Sequence, residues 1–132
     1  MLPPAMMAGT TNDGPQEDTC CASYSNNAQS NVLLASSLGH VKCLRKIMAT
    51  WPGTDVNVFS YRTVHSPLTY ACRYGFLDVA EYLVKHCGAN VNLNTVEHNS
   101  SPLCWAAEFG HLMICKFLIN EGADFNVVSC CM

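Results

Sequence analysis

Residues 66–75 read SPLTYACRYG, and residues 101–110 read SPLCWAAEFG. Both stretches begin with Ser-Pro-Leu and end with Gly, and a related block, SNVLLASSLG, occupies residues 30–39. The closing glycines, which are 36 and 35 residues apart (75 − 39 and 110 − 75), are Gly39, Gly75 and Gly110. A recurrence with a period of roughly 20–50 residues indicates a repeat protein, in which each block is one structural unit that stacks on the next.

The signals inside each block predict a short inner helix followed by an outer helix. Ser66 and Ser101 are good N-cap residues, because their hydroxyls can accept a hydrogen bond from an amide of the first helical turn. A proline follows each serine at the first helical position, where its missing N–H has no consequence. These signals predict inner helices over 68–74 and 103–109. Apolar residues at three-to-four spacing after each glycine predict the outer helix.

The chain divides into a leader and three repeats. Residues 1–28 are rich in Pro, Gly, Ser, Thr and Asn and have neither a helical nor an alternating period, which predicts a flexible leader. Repeats are predicted over 29–63, 64–98 and 99–132, and the last of these includes a short tail. The first repeat is degenerate, because Asn31 stands where the other two have Pro. Terminal repeats are often atypical, since they cap the stack.

The composition argues against several classes of function. The chain has 132 residues, of which 49% are hydrophobic and 13% charged, and this is enough for a domain with a real core. Its net charge of −3, with no basic stripe, argues against a nucleic-acid partner. No apolar run approaches the roughly 18 residues of a membrane span. The N-terminus does not have a secretory signal pattern, so we expect a cytoplasmic or nuclear protein.

The nine cysteines are expected to remain thiols in a reducing compartment, where a buried free Cys behaves as a small hydrophobic residue. Those predicted to lie at core positions of the repeats are Cys72, Cys87 and Cys115. The adjacent pairs at 20–21 and 130–131 do not have the spacing of zinc ligands.

No catalytic or nucleotide-binding motif is recognisable. His40 and His111 follow a repeat glycine, which is a structural place for the ring. Neither of the glycine-rich loops that bind nucleotide phosphates occurs in the sequence. We therefore expect a non-enzymatic protein that needs no cofactor and no metal.

The period and the Ser-Pro-Leu…Gly signature resemble the ankyrin repeat over residues 29 to 126. The resemblance implies an all-α solenoid of about three helix-turn-helix repeats with finger loops. Such solenoids present an extended concave surface, which here would be made of finger tips and inner helices, and they use it to bind other proteins. The expected function is therefore that of a protein-protein interaction module.

Residues on the concave surface that differ between repeats are candidates for contacts with a partner. The two residues before each glycine lie at the exposed end of an inner helix, and Tyr and Arg are over-represented among binding hot spots. The alternative is that the aromatic rings only pack against the neighbouring repeat, as we expect for Trp105. The candidate residues are Arg73, Tyr74, Glu108 and Phe109 on the helices and Tyr61, Arg62, Glu97 and His98 in the fingers.

A narrower resemblance is to the Fem family. Residues 71–91, ACRYGFLDVAEYLVKHCGANV, resemble the second ankyrin repeat of that family, and PLCWAAEFGHL at 102–112 is similar to its P-L-W-A-A-S-A-A-G-H-L. Trp105 stands one place later than the Trp of the family, where this chain has Cys104. Fem proteins are substrate receptors of cullin-RING ubiquitin ligases, and their ankyrin domain captures the C-terminal tails of target proteins. The resemblance implies an alternative function as a substrate-recognition fragment, with ligase subunits as partners if the chain is part of a longer one.

Overall fold

The computed structural model describes residues 25–60, 65–95 and 100–124, and these residues form six α-helices and no strand. The helices, in three consecutive pairs, are α1 (Ala28–Leu38) with α2 (Val41–Thr50), α3 (Pro67–Tyr74) with α4 (Leu77–His86), and α5 (Pro102–Glu108) with α6 (Leu112–Asn120). The first helices of the pairs, α1, α3 and α5, pack side by side as an inner row, and α2, α4 and α6 form a looser outer row. The predicted all-α repeat architecture is confirmed. None of the described helices is long and apolar enough to cross a membrane.

The predicted N-caps of the two complete inner helices are confirmed. The Ser66 hydroxyl accepts a hydrogen bond from the backbone N–H of Thr69 at 3.2 Å, and the Ser101 hydroxyl accepts one from the backbone N–H of Cys104 at 3.2 Å. In α3 the Thr69 hydroxyl also accepts from the backbone N–H of Ser66 at 2.7 Å, which completes a capping box. The structure records this reciprocal bond for α3 and not for α5, whose equivalent residue is Cys104.

The repeat glycines break the inner helices as predicted, because each has a left-handed backbone. The φ angles are 78° at Gly39, 84° at Gly75 and 77° at Gly110, a region that costs other residues about 1–2 kcal/mol. The two complete inner helices begin at Pro67 and Pro102, so the prediction that each proline is the first helical residue is confirmed. The last inner helix ends at Glu108, with Phe109 as its C-cap, so the predicted end was one residue too late.

The first inner helix starts one turn earlier than the other two, and Asn31 is the reason. Its backbone N–H donates to the carbonyl of Asn27 at 3.1 Å, a bond that a proline at this position could not make. Asn27 serves as the N-cap, and its side chain accepts from the N–H of Ser30 at 3.1 Å. The buried Asn31 amide also binds the backbone of Ser25 through two 2.9 Å hydrogen bonds.

The predicted flexible leader, residues 1–28, falls mostly outside the described residues, which begin at 25. Asn27 and Ala28, which were assigned to the leader, form the cap and the first residue of α1. Helical structure therefore begins one residue before the predicted start of the first repeat. The flexibility of residues 1–24 stays a prediction, and so does the short tail after residue 126, which lies outside the described residues.

Rings that follow the repeat glycines join successive repeats. A Cβ atom added to Gly39 would lie 2.8 Å from the ring of Phe76, and one added to Gly75 would lie 2.6 Å from the ring of His111. The Nε2–H of His111 also donates to the backbone carbonyl of Arg73 at 3.0 Å. The structural place predicted for His111 is confirmed, and each junction needs a glycine because no side chain fits beneath the ring.

Asparagines in the turns connect each repeat to the next. The Asn57 side chain accepts from the N–H of Asn90 at 2.7 Å and donates to the carbonyl of Gly88 at 3.2 Å. The side chain of Asn92 accepts from the N–H of Asp124 at 2.8 Å. In these two turns, the closing asparagine therefore forms hydrogen bonds with backbone groups of the next turn. These bonds fix the register in which one repeat stacks on the next.

Cations connect the outer helices. The Arg45 guanidinium on α2 lies 5.6 Å from the ring centre of Tyr82 on α4, and the Lys85 ammonium lies 5.9 Å from the ring centre of Phe117 on α6. Lys85 also forms an ion pair with Glu121 at 3.2 Å. These contacts lie at the surface, where each contributes about 1 kcal/mol or less. Most of the stability must therefore come from the apolar core between the two rows.

Candidate partner-binding surface

Three large apolar side chains are exposed at equivalent positions where the three inner helices end. They are the residues directly before the repeat glycines: Leu38 is 48% exposed, Tyr74 is 47% exposed and Phe109 is 43% exposed. Because the inner helices pack side by side, the three residues form one line across the stack, which we call the apolar row. The predicted exposure of Tyr74 and Phe109 is confirmed.

A second line of large side chains lies four residues earlier on each inner helix, at Leu34, Tyr70 and Trp105, all half-buried. Residues four apart share a face of a helix, so each of these side chains lies beside a member of the apolar row. The rings of Tyr70 and Tyr74 stack with centres 6.3 Å apart, and those of Trp105 and Phe109 stack with centres 6.2 Å apart. Aromatic pairs at such separations typically contribute about 0.5–1.5 kcal/mol beyond their buried area.

Arg73 lies among three aromatic rings, at the junction of the middle and last repeats. Its guanidinium carbon is 5.6 Å from the ring centres of Tyr74 and Trp105 and 5.2 Å from that of Phe109. Its Nη1 also lies 3.3 Å from Nε2 of His65. The half-buried Arg73 therefore joins two repeats as well as lining the candidate surface.

Trp105 packs between the inner helices, as predicted. Its ring meets the buried ring of His65 edge-on with centres 4.7 Å apart, in addition to its contact with Arg73. Glu108, which occupies in the last repeat the position that Arg73 has in the middle one, is exposed. At equivalent positions of the two repeats, Arg73 is therefore surrounded by aromatic rings, whereas Glu108 faces solvent.

The candidates in the fingers lie outside the described residues. The first finger is closed by a hydrogen bond from the N–H of Ser60 to the carbonyl of His65 at 2.9 Å, and the second by one from Thr95 to Ser100 at 2.8 Å. Tyr61, Arg62, Glu97 and His98 belong to the segments between these bonds and stay predictions.

A groove of about 610 Å³ opens between α1 and the first finger. Leu33, Leu34 and Ser37 on α1 form one side, and residues 58–60 of the finger form the other. Tyr70 on α3 lines it as well and connects it to the apolar row through its stack on Tyr74.

The sequence prediction did not include the groove. A signal was present, since residues 30, 33, 34 and 37 follow the spacing of a single helix face. That spacing does not reveal that the face is left half-exposed beside a finger loop.

The described cysteines lie within the core or against it. Cys43, Cys72 and Cys104 are buried, and Cys87 and Cys115 are half-buried against the core. Burial raises the pKa of the Cys72 and Cys115 thiols and raises the pKa of Cys87 to about 11, so these thiols are protonated at neutral pH. Within the described ranges, no three His, Cys, Asp or Glu residues are grouped so that they could hold a metal ion.

The three aligned repeats can now be compared with known families. A family model for ankyrin repeats, comprising three copies, matches residues 32–129. This chain belongs to the ankyrin-repeat family. No curated protein matches the chain, and the narrower resemblance to the Fem family stays a prediction. Ankyrin repeats are generally protein-protein interaction modules, and in this chain each ankyrin repeat contributes one exposed side chain to the apolar row.

Proposed function

We propose that this protein is a non-enzymatic interaction module that binds a protein partner on the concave face of its ankyrin repeats. The observation that carries the proposal is the apolar row, which places three large exposed side chains at one equivalent position in successive repeats. Contiguous exposed apolar surface on a folded protein is typical of an interaction site.

The composition of the row and the stacking of its aromatic rings support this function. Tyr and Trp provide large contact area, and binding hot spots are enriched in Tyr, Trp and Arg. Tyr74 and Phe109 each stack on a half-buried ring, and a side chain that is already ordered loses less entropy on binding. In this proposal Tyr74 and Phe109 make the central contacts, and Glu108 lies at the rim. The further contacts proposed are Arg73 beside the row and Tyr61, Arg62, Glu97 and His98 in the fingers.

The test is affinity capture from cell extract followed by quantitative mass spectrometry. We expect a Tyr74→Ala, Phe109→Ala double variant to lose a partner that the wild-type protein recovers, while its melt by circular dichroism stays cooperative. The matched control is Met113→Ala on α6, which removes an apolar side chain that is 61% exposed but lies outside the row. Equal recovery by all three proteins would show that the row is not the binding surface.

A substrate-recognition fragment of a Fem-like ubiquitin ligase receptor is the second candidate function. Its support is the resemblance of residues 71–91 and 102–112 to that family. If it is right, cullin and elongin subunits will co-purify with the protein as it occurs in its source cell. Recovery of a different partner without these subunits would leave the general interaction module as the function.

We propose that the protein acts in the cytoplasm or the nucleus. Cys72, Cys87 and Cys115 are free thiols, which is the state expected in a reducing compartment. Microscopy of the tagged chain will test this, and a signal in the secretory pathway would contradict it.

A further inference from the structure

We propose that His65 makes the closure of the first finger sensitive to acid: its neutral ring keeps the finger closed on α3, and protonation of the ring releases it. His65 lies where the finger meets α3, and its carbonyl accepts the 2.9 Å hydrogen bond from the N–H of Ser60 that closes the finger. The residue is only 4% exposed. The inference concerns the free protein and goes beyond the proposed function.

The contact with Arg73 determines which protons the His65 ring carries. Nη1 of Arg73 lies 3.3 Å from Nε2 of His65. A guanidinium carries protons on all its nitrogens and cannot accept a hydrogen bond, so Nε2 must be the acceptor. A ring nitrogen that accepts has no proton of its own. The imidazole is therefore neutral, with its proton on Nδ1.

Protonation of His65 is incompatible with this arrangement. An imidazolium carries an N–H on both ring nitrogens, so it cannot accept from Arg73. It would also place a second positive charge about as close to the guanidinium as the 3.3 Å contact, at a buried position where like charges repel strongly. The ring contacts those of Tyr70 and Trp105 as well, with centres 5.2 and 4.7 Å away. A ring that moves away from the guanidinium therefore loses both aromatic contacts.

The charged and titratable groups around His65 belong to the inner helices and the fingers. α1 has no charged residue. On α3 the groups are Arg73 and the phenol of Tyr70, and on α5 the acidic residue is Glu108, which is exposed. The groups in the two fingers that lie outside the described residues are Tyr61, Arg62, Glu97 and His98.

The second finger provides a matched comparison within the same chain. It is closed by the equivalent hydrogen bond, from the N–H of Thr95 to the carbonyl of Ser100 at 2.8 Å. Ser100 has in the last repeat the position that His65 has in the middle one, 35 residues earlier (100 − 65). A serine does not titrate in mild acid, so acid should open the first finger relative to the second.

The test is amide hydrogen exchange on the full chain, measured by NMR at about pH 7.5 and about pH 5.5, on either side of the ordinary histidine pKa of about 6.5. The measured quantity is the protection factor of the Ser60 N–H divided by that of the Thr95 N–H. One pH unit below 6.5, acid favours a state that exposes the ring by a factor of about ten. We expect the ratio to fall by about that factor, and an unchanged ratio would overturn the inference.

The decisive variant is His65→Gln, whose side-chain amide can accept from Arg73 but does not titrate. We expect its exchange ratio to be the same at both pH values. The matched control is His86→Gln, which removes an exposed histidine of α4 and should keep the wild-type fall. Glu97→Gln and His98→Gln should keep it as well. If the fall disappears in one of these three variants, that residue is the sensor and the assignment to His65 is wrong.

A measurement on the wild-type protein keeps the inference testable if His65→Gln does not fold. The nitrogen chemical shifts of the His65 ring distinguish the imidazolium from each of the two neutral tautomers. At neutral pH we expect the neutral form with its proton on Nδ1, and either of the other forms would overturn the inference. Partner binding enters none of these measurements, so the inference and the proposed function can fail separately. Since Tyr61 and Arg62 belong to the first finger, its release would weaken any partner contact that they make.

Discussion

The middle and the last repeat share a sequence template, but their glycines have different surroundings. A Cβ atom on Gly75 would collide with the ring of His111, whereas one on Gly110 would meet no atom of the described residues within 4 Å. Both glycines have a positive φ. The same residue is therefore required for two reasons in the middle repeat, backbone conformation and close packing, and for one reason in the last.

The outer helices of the two repeats differ in the same way. Leu77 and Val84 on α4 are half-buried against the core, whereas the equivalent Leu112 and Ile119 on α6 are 64% and 43% exposed. The residue types are closely similar, so the neighbouring repeat determines their burial. The middle and the last repeat thus share the same helices and turns. They differ in which residues cover their outer helices.

The largest effect is expected from replacing the two glycines by alanine. Either change places an alanine in the left-handed region and should lower the free energy of unfolding by about 1–2 kcal/mol. At Gly75 the collision with His111 should add about 1–3 kcal/mol, as overpacking typically does. Chemical denaturation of both variants measures the difference, and equal losses would mean that the junction adapts to the extra methyl group.

The capping box distinguishes α3 from α5. Thr69→Val removes a buried hydroxyl that accepts from the N–H of Ser66 and donates to its carbonyl at 2.9 Å, so we expect a loss of about 1–2 kcal/mol in the free energy of unfolding. The converse change, Cys104→Thr, places the same hydroxyl beside Ser101 and should stabilise the protein by about 0.5–1 kcal/mol. Urea unfolding curves test both, and a destabilised Cys104→Thr variant would show that the backbone of α5 does not admit the box.

Arg73 and Glu108 occupy the same position in adjacent repeats. Removing the three-ring contact by Arg73→Ala should lower the free energy of unfolding by about 1 kcal/mol. Glu108→Ala, at an exposed position, should change it by less than about 0.5 kcal/mol. Tryptophan fluorescence during denaturation reports on both, and equal stabilities would show that the ring contacts of Arg73 contribute nothing.

The last expected effect, that of the Cys87 thiol, appears only in alkaline solution. The pKa of Cys87 is raised to about 11 by burial, whereas a thiol in an unfolded chain has a pKa of about 8.5. Above the unfolded value the unfolded chain loses a proton that the folded chain keeps, so stability falls as the pH rises from about 8.5 towards 11. Cys87→Ala should make this decline shallower, and an unchanged slope would assign the decline to other groups.

Much of the local structure could be predicted because its causes are local. The caps at Ser66 and Ser101 and the break at Gly75 follow from hydrogen bonds within one helical turn and from the φ angles that glycine allows. The early start of α1 was missed, although its cause is also local: Asn31 has the N–H that proline lacks. The exposure of Tyr74 and Phe109 was predicted from their place in the repeat.

The sequence by itself determined the period, the pairs of helices, and the caps and glycine breaks of the two complete inner helices. The tertiary structure alone determined that Arg73 lies among rings from two repeats, that Gly75 lies beneath His111, and that α1 and the first finger enclose a groove. The physical reason is distance along the chain. Caps and turns join residues about three or four apart, whereas the His111–Arg73 hydrogen bond joins residues 38 apart and depends on how one repeat is seated on the next.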